Sequence, residues 1–203
     1  MKRWLTVACA LGVVALAVVA AVLLSRGNES NSVLVPKSPP KEAAPVAVKT
    51  VTENCDTRSE AGFGAEYTSR RNLVVGPLAM IDAGTFTPPS VVRRVHGNKF
   101  PLLVKAGHTV KIEVAAAARG FAALGYGPLP QGEITLEVAH PSVTFIACAR
   151  GAPSGSTAGG PVTFWSGGLV ANEPHCVPLD VYVDGRDTPQ RVFVELGARC
   201  AIT

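Results

Sequence analysis

Through the C-terminal half of the chain, apolar and polar positions alternate with period two. Val110, Ile112 and Val114 fall on one side of a segment whose other side carries Lys111 and Glu113. Ile134, Leu136 and Val138 alternate in the same way with Thr135 and Glu137. Val177, Leu179, Val181 and Val183 alternate with Pro178, Asp180, Tyr182 and Asp184, and Val192, Val194 and Leu196 with Arg191, Phe193 and Glu195. Period two with one polar face predicts antiparallel strands that turn one side to a core and the other to water. Apolar runs at 73–81, 100–104, 143–148 and 162–165 predict further strands. The Ala-rich stretch 114–124, interrupted by Arg119-Gly120, predicts a single helical turn or a bent loop. Between these segments lie turn-forming residues, among them Gly107, Gly125, Gly127-Pro128 and the hairpin dipeptide Asp184-Gly185. About eight short strands at this spacing predict an all-β domain, an antiparallel β-sandwich of immunoglobulin-like or jelly-roll-like form.

The N-terminal pattern differs. Trp4 to Leu24 carries no charge, and 21 helical residues at ~1.5 Å each span roughly the 30 Å of a bilayer core. Lys2 and Arg3 precede the run, so a single-pass anchor (residues 1–26) is expected, with its N-terminus in the cytoplasm and the remainder outside. Cleavage of the segment as a signal peptide would instead release a secreted protein. Residues 27–54 hold Pro36, Pro39, Pro40 and Pro45 among charges, which predicts an extended spacer. The folded domain is then expected over residues 55–203.

Composition narrows the function classes. With 47% apolar and 17% charged residues, the 203-residue chain is not expected to be disordered along most of its length. The formal net charge is +4, yet residues 55–203 hold 13 basic and 12 acidic side chains. A balanced domain lacks the basic face that nucleic acid requires. Cys55, Cys148, Cys176 and Cys200 lie beyond the apolar run, and an even count in an exported domain predicts two disulfides. Cys176 and Cys200 flank one predicted hairpin, which favours pairing them and leaves Cys55 with Cys148. Strand phase opposes this, because Cys200 falls in register with the core residues unless a bulge near Gly197 intervenes.

Candidate chemistry is sparse. His96, His108, His140 and His175 form no metal-ligand spacing, and Ser154 and Ser156 lack the flanking glycine of a nucleophile elbow. Asp180, Asp184 and Asp187 surround the last predicted hairpin and are weak calcium candidates; otherwise no metal or cofactor is implied. Trp165, Tyr182 and Phe193 are the speculative ligand-binding residues, since aromatic rings on the wet face of a sheet stack on sugars or anchor a partner. The segments Gly160-Pro-Val-Thr-Phe-Trp-Ser-Gly167 and Cys176-Val-Pro-Leu-Asp-Val-Tyr-Val-Asp-Gly185 resemble exported proteins of high-GC Gram-positive bacteria that carry no assigned activity. The expectation is a non-catalytic, membrane-anchored binding module for an envelope glycan or protein. The alternatives are an extracytoplasmic hydrolase whose site is gathered from loops, and an accessory subunit of an envelope complex.

Overall fold

The computed structural model describes residues 50–60, 67–130, 134–151 and 162–201. The apolar run 4–24, most of the spacer, and Ser154 and Ser156 lie outside these residues. Among the described residues, no helix is long and apolar enough to cross a membrane.

The described chain is all-β, arranged in three sheets with little helix. The largest sheet contains β1 (Thr50–Glu53), β8 (Ser142–Ile146), β6 (Thr109–Val114), β11 (His175–Val183) and β12 (Gln190–Leu196), in the spatial order β1-β8-β6-β11-β12. All neighbours are antiparallel except β1 and β8, which run parallel from Thr50 opposite Ser142 to Glu53 opposite Phe145. The alternation in the sequence is realised here. Val110, Ile112, Val114, Val177, Leu179, Val181 and Val194 are buried, and the charged residues between them point outward. On that outer face Arg191 donates two hydrogen bonds of 2.8 Å to the Asp180 carboxylate, directly across the β11–β12 ladder.

A four-stranded sheet has the order β2-β3-β5-β9, from β2 (Leu73–Val75), β3 (Leu78–Met80), β5 (Leu102–Lys105) and β9 (Val162–Trp165). The apolar run 73–81 is thus a hairpin and not one strand, because Gly76 with φ +53 turns the chain before Pro77. A three-stranded sheet has the order β4-β10-β7, from β4 (Gly97–Lys99), β10 (Gly168–Ala171) and β7 (Ala122–Gly125). Beside β4 runs the one α-helix among the described residues, α1 (Pro89–Val95). Proline at its first position suits the helix start, and left-handed His96, whose N–H donates to the Val92 carbonyl, ends it. One apolar core draws on all three sheets, with Leu78, Leu102, Ile112, Leu124, Phe145, Trp165, Leu169 and Leu179 among its members.

Two sequence expectations are corrected. Residues 134–138 form no strand; 136–138 make a turn, and the Ala139 N–H donates to the Thr135 carbonyl, a helical-type closure. Their alternation is nevertheless used, since Ile134 and Leu136 cover Ala123, Ala139 and Val170. The Ala-rich stretch makes the single helical turn expected of it, a 3-10 turn at Ala116–Ala118, and then enters β7. Finally, the fold includes residues assigned to the spacer, because Thr50–Glu53 is an edge strand of the main sheet.

Both disulfides pair as expected, Cys55 with Cys148 and Cys176 with Cys200. The phase objection is resolved without a bulge. Strand β12 stops at Leu196, and Gly197 with φ +83 turns the chain away, so Cys200 is no longer bound by strand phase.

Candidate functional site

A groove of 720 Å³ lies between α1 and the sheet β4-β10-β7. Its floor is largely backbone. Strands β4 and β10 approach so closely that a Cβ on Gly168 would stand 2.1 Å from the Asn98 carbonyl oxygen, and one on Gly97 2.0 Å from that of Leu169. Gly97 also holds φ +145, a conformation that L side chains rarely adopt. Val91 and Val95 of α1 form one wall, and Leu129 and Ile134 the other. Val95 is 55% exposed, which makes it an apolar side chain left open at the rim. Arg94 and Lys99 supply cations there, and among the described lining residues there is no carboxylate.

At Gly127 and Ser166 this groove adjoins a second, polar pocket of 370 Å³. Four segments build it: the end of β1 with Glu53, the 3-10 turn Cys55–Thr57 and Ser59, Gly127-Pro128 beyond β7, and Trp165-Ser166 at the end of β9. The walls are braced by hydrogen bonds. Asn54 Oδ1 accepts from the Asp56 and Thr57 N–H groups, and Thr57 Oγ1 accepts from the Asn54 N–H at 2.8 Å, a reciprocal capping box. The Ser59 N–H donates to the Phe164 carbonyl, and Ser59 Oγ accepts from the Ser166 N–H, both at 2.9 Å. The Cys55–Cys148 disulfide then ties this turn to the segment that follows β8.

Two groups inside the polar pocket have unmet hydrogen-bonding capacity. Glu53 is 4% exposed and its Oε1 has no hydrogen-bond partner. The indole Nε1 of Trp165 is buried and also has none. None of the described lining residues is a cation that could offset the carboxylate. A buried polar atom without a partner costs about 1–3 kcal/mol, and more when charged, so such groups mark places whose partner comes from elsewhere.

The aromatic residues singled out in the sequence do not converge. Trp165 is not on the wet face: its ring is 2% exposed and lies 5.3 Å from Phe145 in the core, which corrects its reading as a stacking platform. Trp165 is also among the residues that line the polar pocket. Tyr182 and Phe193 do share the outer face of the main sheet, and Phe193 is half exposed. Phe193 stands opposite Pro178, four residues along β11 from Tyr182, a gap of ~13 Å at strand rise. Tyr182 instead lies under the Lys111 ammonium, 4.0 Å from the ring centroid.

The acidic residues of the last hairpin are also separately engaged. Asp180 is held by Arg191, while Asp184 accepts from the Thr109 N–H at 3.0 Å and from His108 Nδ1 at 2.9 Å. The Thr109 N–H first, and His108 second, hold the Asp184 carboxyl below its ordinary range. Among the described residues, no group of three His, Cys, Asp or Glu side chains is placed to hold a metal ion. The histidines occupy distinct settings: His96 ends α1, His108 binds Asp184, His140 bridges Leu124 and His175 stacks on Phe121.

Sequence reasoning missed Glu53, because it sits inside a stretch read as spacer. The β-branched run Thr50-Val51-Thr52 was the available signal of a strand there. It also missed the groove, whose glycines read individually as turn residues. Comparison of the chain with protein-family models, curated proteins and solved structures yields no match.

Proposed function

We propose that the domain is a non-catalytic binding module that works outside the cytoplasm and holds a cell-envelope glycan along the groove between α1 and the β4-β10-β7 sheet. In this reading the five-stranded sheet packs against the other two as a sandwich, and residues 4–24 tether the domain to the membrane. The observation that carries the proposal is the adjacency of the two cavities: a 720 Å³ groove with open apolar walls and a braced polar pocket share Gly127 and Ser166 in their linings. An elongated ligand with both apolar faces and hydroxyl groups fits such a pair. The two disulfides support an oxidising compartment.

Sedimentation tests this. Full-length protein in detergent is mixed with purified Gram-positive cell wall at low and high salt, and separately with detergent-solubilised membrane proteins. The protein is expected to pellet with the wall at both salt concentrations, since apolar contacts are not screened. Val95→Glu, which places a charge on the open wall of the groove, is expected to abolish pelleting. Absence from the wall pellet, together with one co-purifying membrane protein, would replace the glycan reading with that of an accessory subunit.

A further inference from the structure

The polar pocket says more about the ligand than the groove does. Its two unpartnered groups are of opposite kinds: Glu53 offers an acceptor and the Trp165 indole a donor. An ammonium group would satisfy the first and leave the second unmet. A hydroxyl group satisfies both, donating to the carboxylate and accepting from the indole N–H. One trapped water could do the same, but its share of liquid volume is only ~30 Å³, far less than the 370 Å³ of this pocket. The remaining polar lining is also hydroxylic. Ser59 Oγ donates to Ser166 Oγ at 3.1 Å, and Thr57 Oγ1 lies on the same wall.

We infer that this pocket is a subsite for one sugar residue, bound through a ligand hydroxyl bridging the Glu53 carboxylate and the Trp165 Nε1–H. The inference rests on the glycan-binding reading above and names the place where that ligand is recognised. Glu53 Oε1 lies against Gly127, where an added Cβ would stand 2.8 Å from it, so the glycine leaves the room that the buried carboxylate now occupies. Binding in this proposal takes a rotamer change that turns the carboxylate from that seat into the open part of the pocket. A carboxylate accepting a sugar hydroxyl is a charge-assisted bond, stronger than a neutral one.

The test uses the indole as reporter. The chain has two tryptophans, Trp4 and Trp165. In full-length Trp4→Phe protein in detergent micelles, Trp165 gives the one indole N–H resonance. Glucose, galactose, mannose, arabinose and N-acetylglucosamine are titrated in turn, with ethylammonium as the control for a simple cation site. At least one sugar is expected to move the resonance saturably, and Glu53→Gln is expected to weaken that sugar about tenfold. Gly127→Ala, whose Cβ would crowd Glu53 Oε1 out of its present seat and strain the backbone at φ +88, is expected to change the affinity for that sugar. A response to ethylammonium alone, or to no probe, overturns the inference; so does a sugar response unchanged in both variants. Wall pelleting that persists with no sugar response sinks the subsite and leaves the binding module standing. A sugar response without wall pelleting does the reverse.

Discussion

The five-stranded sheet and the small β4-β10-β7 sheet are built from opposite materials. The first is made of β-branched residues in strict alternation, with its outer charges paired: Asp180 with Arg191, Glu113 with Lys111 at 2.9 Å, and Lys111 over Tyr182. The second is Gly- and Ala-rich, and every residue of β7 and β10 is buried. The two unpartnered polar atoms of the pocket lie at strand ends: Glu53 ends the edge strand β1 of the large sheet, and Trp165 ends β9 of the four-stranded sheet. A sheet selected for stability satisfies its polar groups internally. On the reading proposed above, the glycine-lined groove and the unmet atoms at Glu53 and Trp165 form the binding region, and the paired strands β6, β11 and β12 are its scaffold.

Removing each disulfide should sharpen that contrast most. Cys55 and Cys148 are 93 residues apart, and in the chain-entropy model their link stabilises by about 4–5 kcal/mol, against ~3 kcal/mol for the 24-residue separation of Cys176 and Cys200. Urea unfolding of the two double-serine variants under oxidising conditions checks the order. The first variant should also lose wall binding, because the bond anchors the turn that walls the polar pocket. The second should keep it, since the β11–β12 ladder holds its own register from His175 to Val181. Equal loss of binding in both would break the division between binding region and scaffold. Next in size is Gly168→Ala. A methyl group 2.1 Å from a backbone oxygen must push β4 and β10 apart, at about 3 kcal/mol. Thermal unfolding reads that effect, and wall binding should fall with it.

How much of this could be read in the sequence follows the same line. The large sheet was legible because burial on one side imposes period two, and strands β6, β11 and β12 show it almost residue for residue. The disulfide pairing was legible from hairpin geometry, although Gly197 resolved the phase by ending the strand. The small sheet was not legible. The four-residue strands β7 and β10, buried on both faces, carry no alternation, β4 has only three residues, and Ala122-Ala-Leu-Gly125 looks as much like a turn as a strand. Residues 134–138 misled for a related reason: apolar positions alternated because one side covers β7 and β10, without any ladder. Trp165 was chosen for its ring, but whether a tryptophan shows a face or an edge is decided by tertiary packing. Glu53 was hidden by its neighbourhood, because a Pro-rich spacer and an edge strand differ only in what lies opposite in space.

Glu53→Gln turns the comparison into a measurable trade. Burying a carboxylate with no cation among the described residues that line its pocket destabilises the unliganded domain, so the neutral isostere should raise stability by about 1–2 kcal/mol. For a domain of this size that is about 2–4 °C in Tm per kcal/mol. Stability gained together with weaker sugar binding is the signature of a group kept for its ligand. Removing a charge from a paired site on the outer face of the large sheet should do the opposite: Arg191→Ala should lower Tm slightly, since it strands Asp180, whose side chain is only 13% exposed.

The smallest expected effect lies at Asp184, on the hairpin of the large sheet, and it is set by pH. The Thr109 N–H and then His108 hold this carboxyl below its ordinary range, so the folded state favours the ionised form. A depressed carboxylate contributes stability that is fully present above the unfolded-state pKa, roughly 4, and is lost as pH falls through the lower folded value. Asp184 holds φ +50, a left-handed conformation that asparagine also tolerates, and the amide oxygen of Asn can still accept from Thr109. Asp184→Asn therefore removes the charge and little else. With Asp184 nearly half exposed, the difference should stay below ~1 kcal/mol at neutral pH. Thermal unfolding of the two proteins between pH 7 and pH 2 (about the range needed to pass both pKa values) should show the gap closing only below about pH 4. A gap that stays constant to the acid limit would mean that the Asp184 turn matters for its backbone shape alone, and that even the outer charges of the large sheet are spectators to its stability.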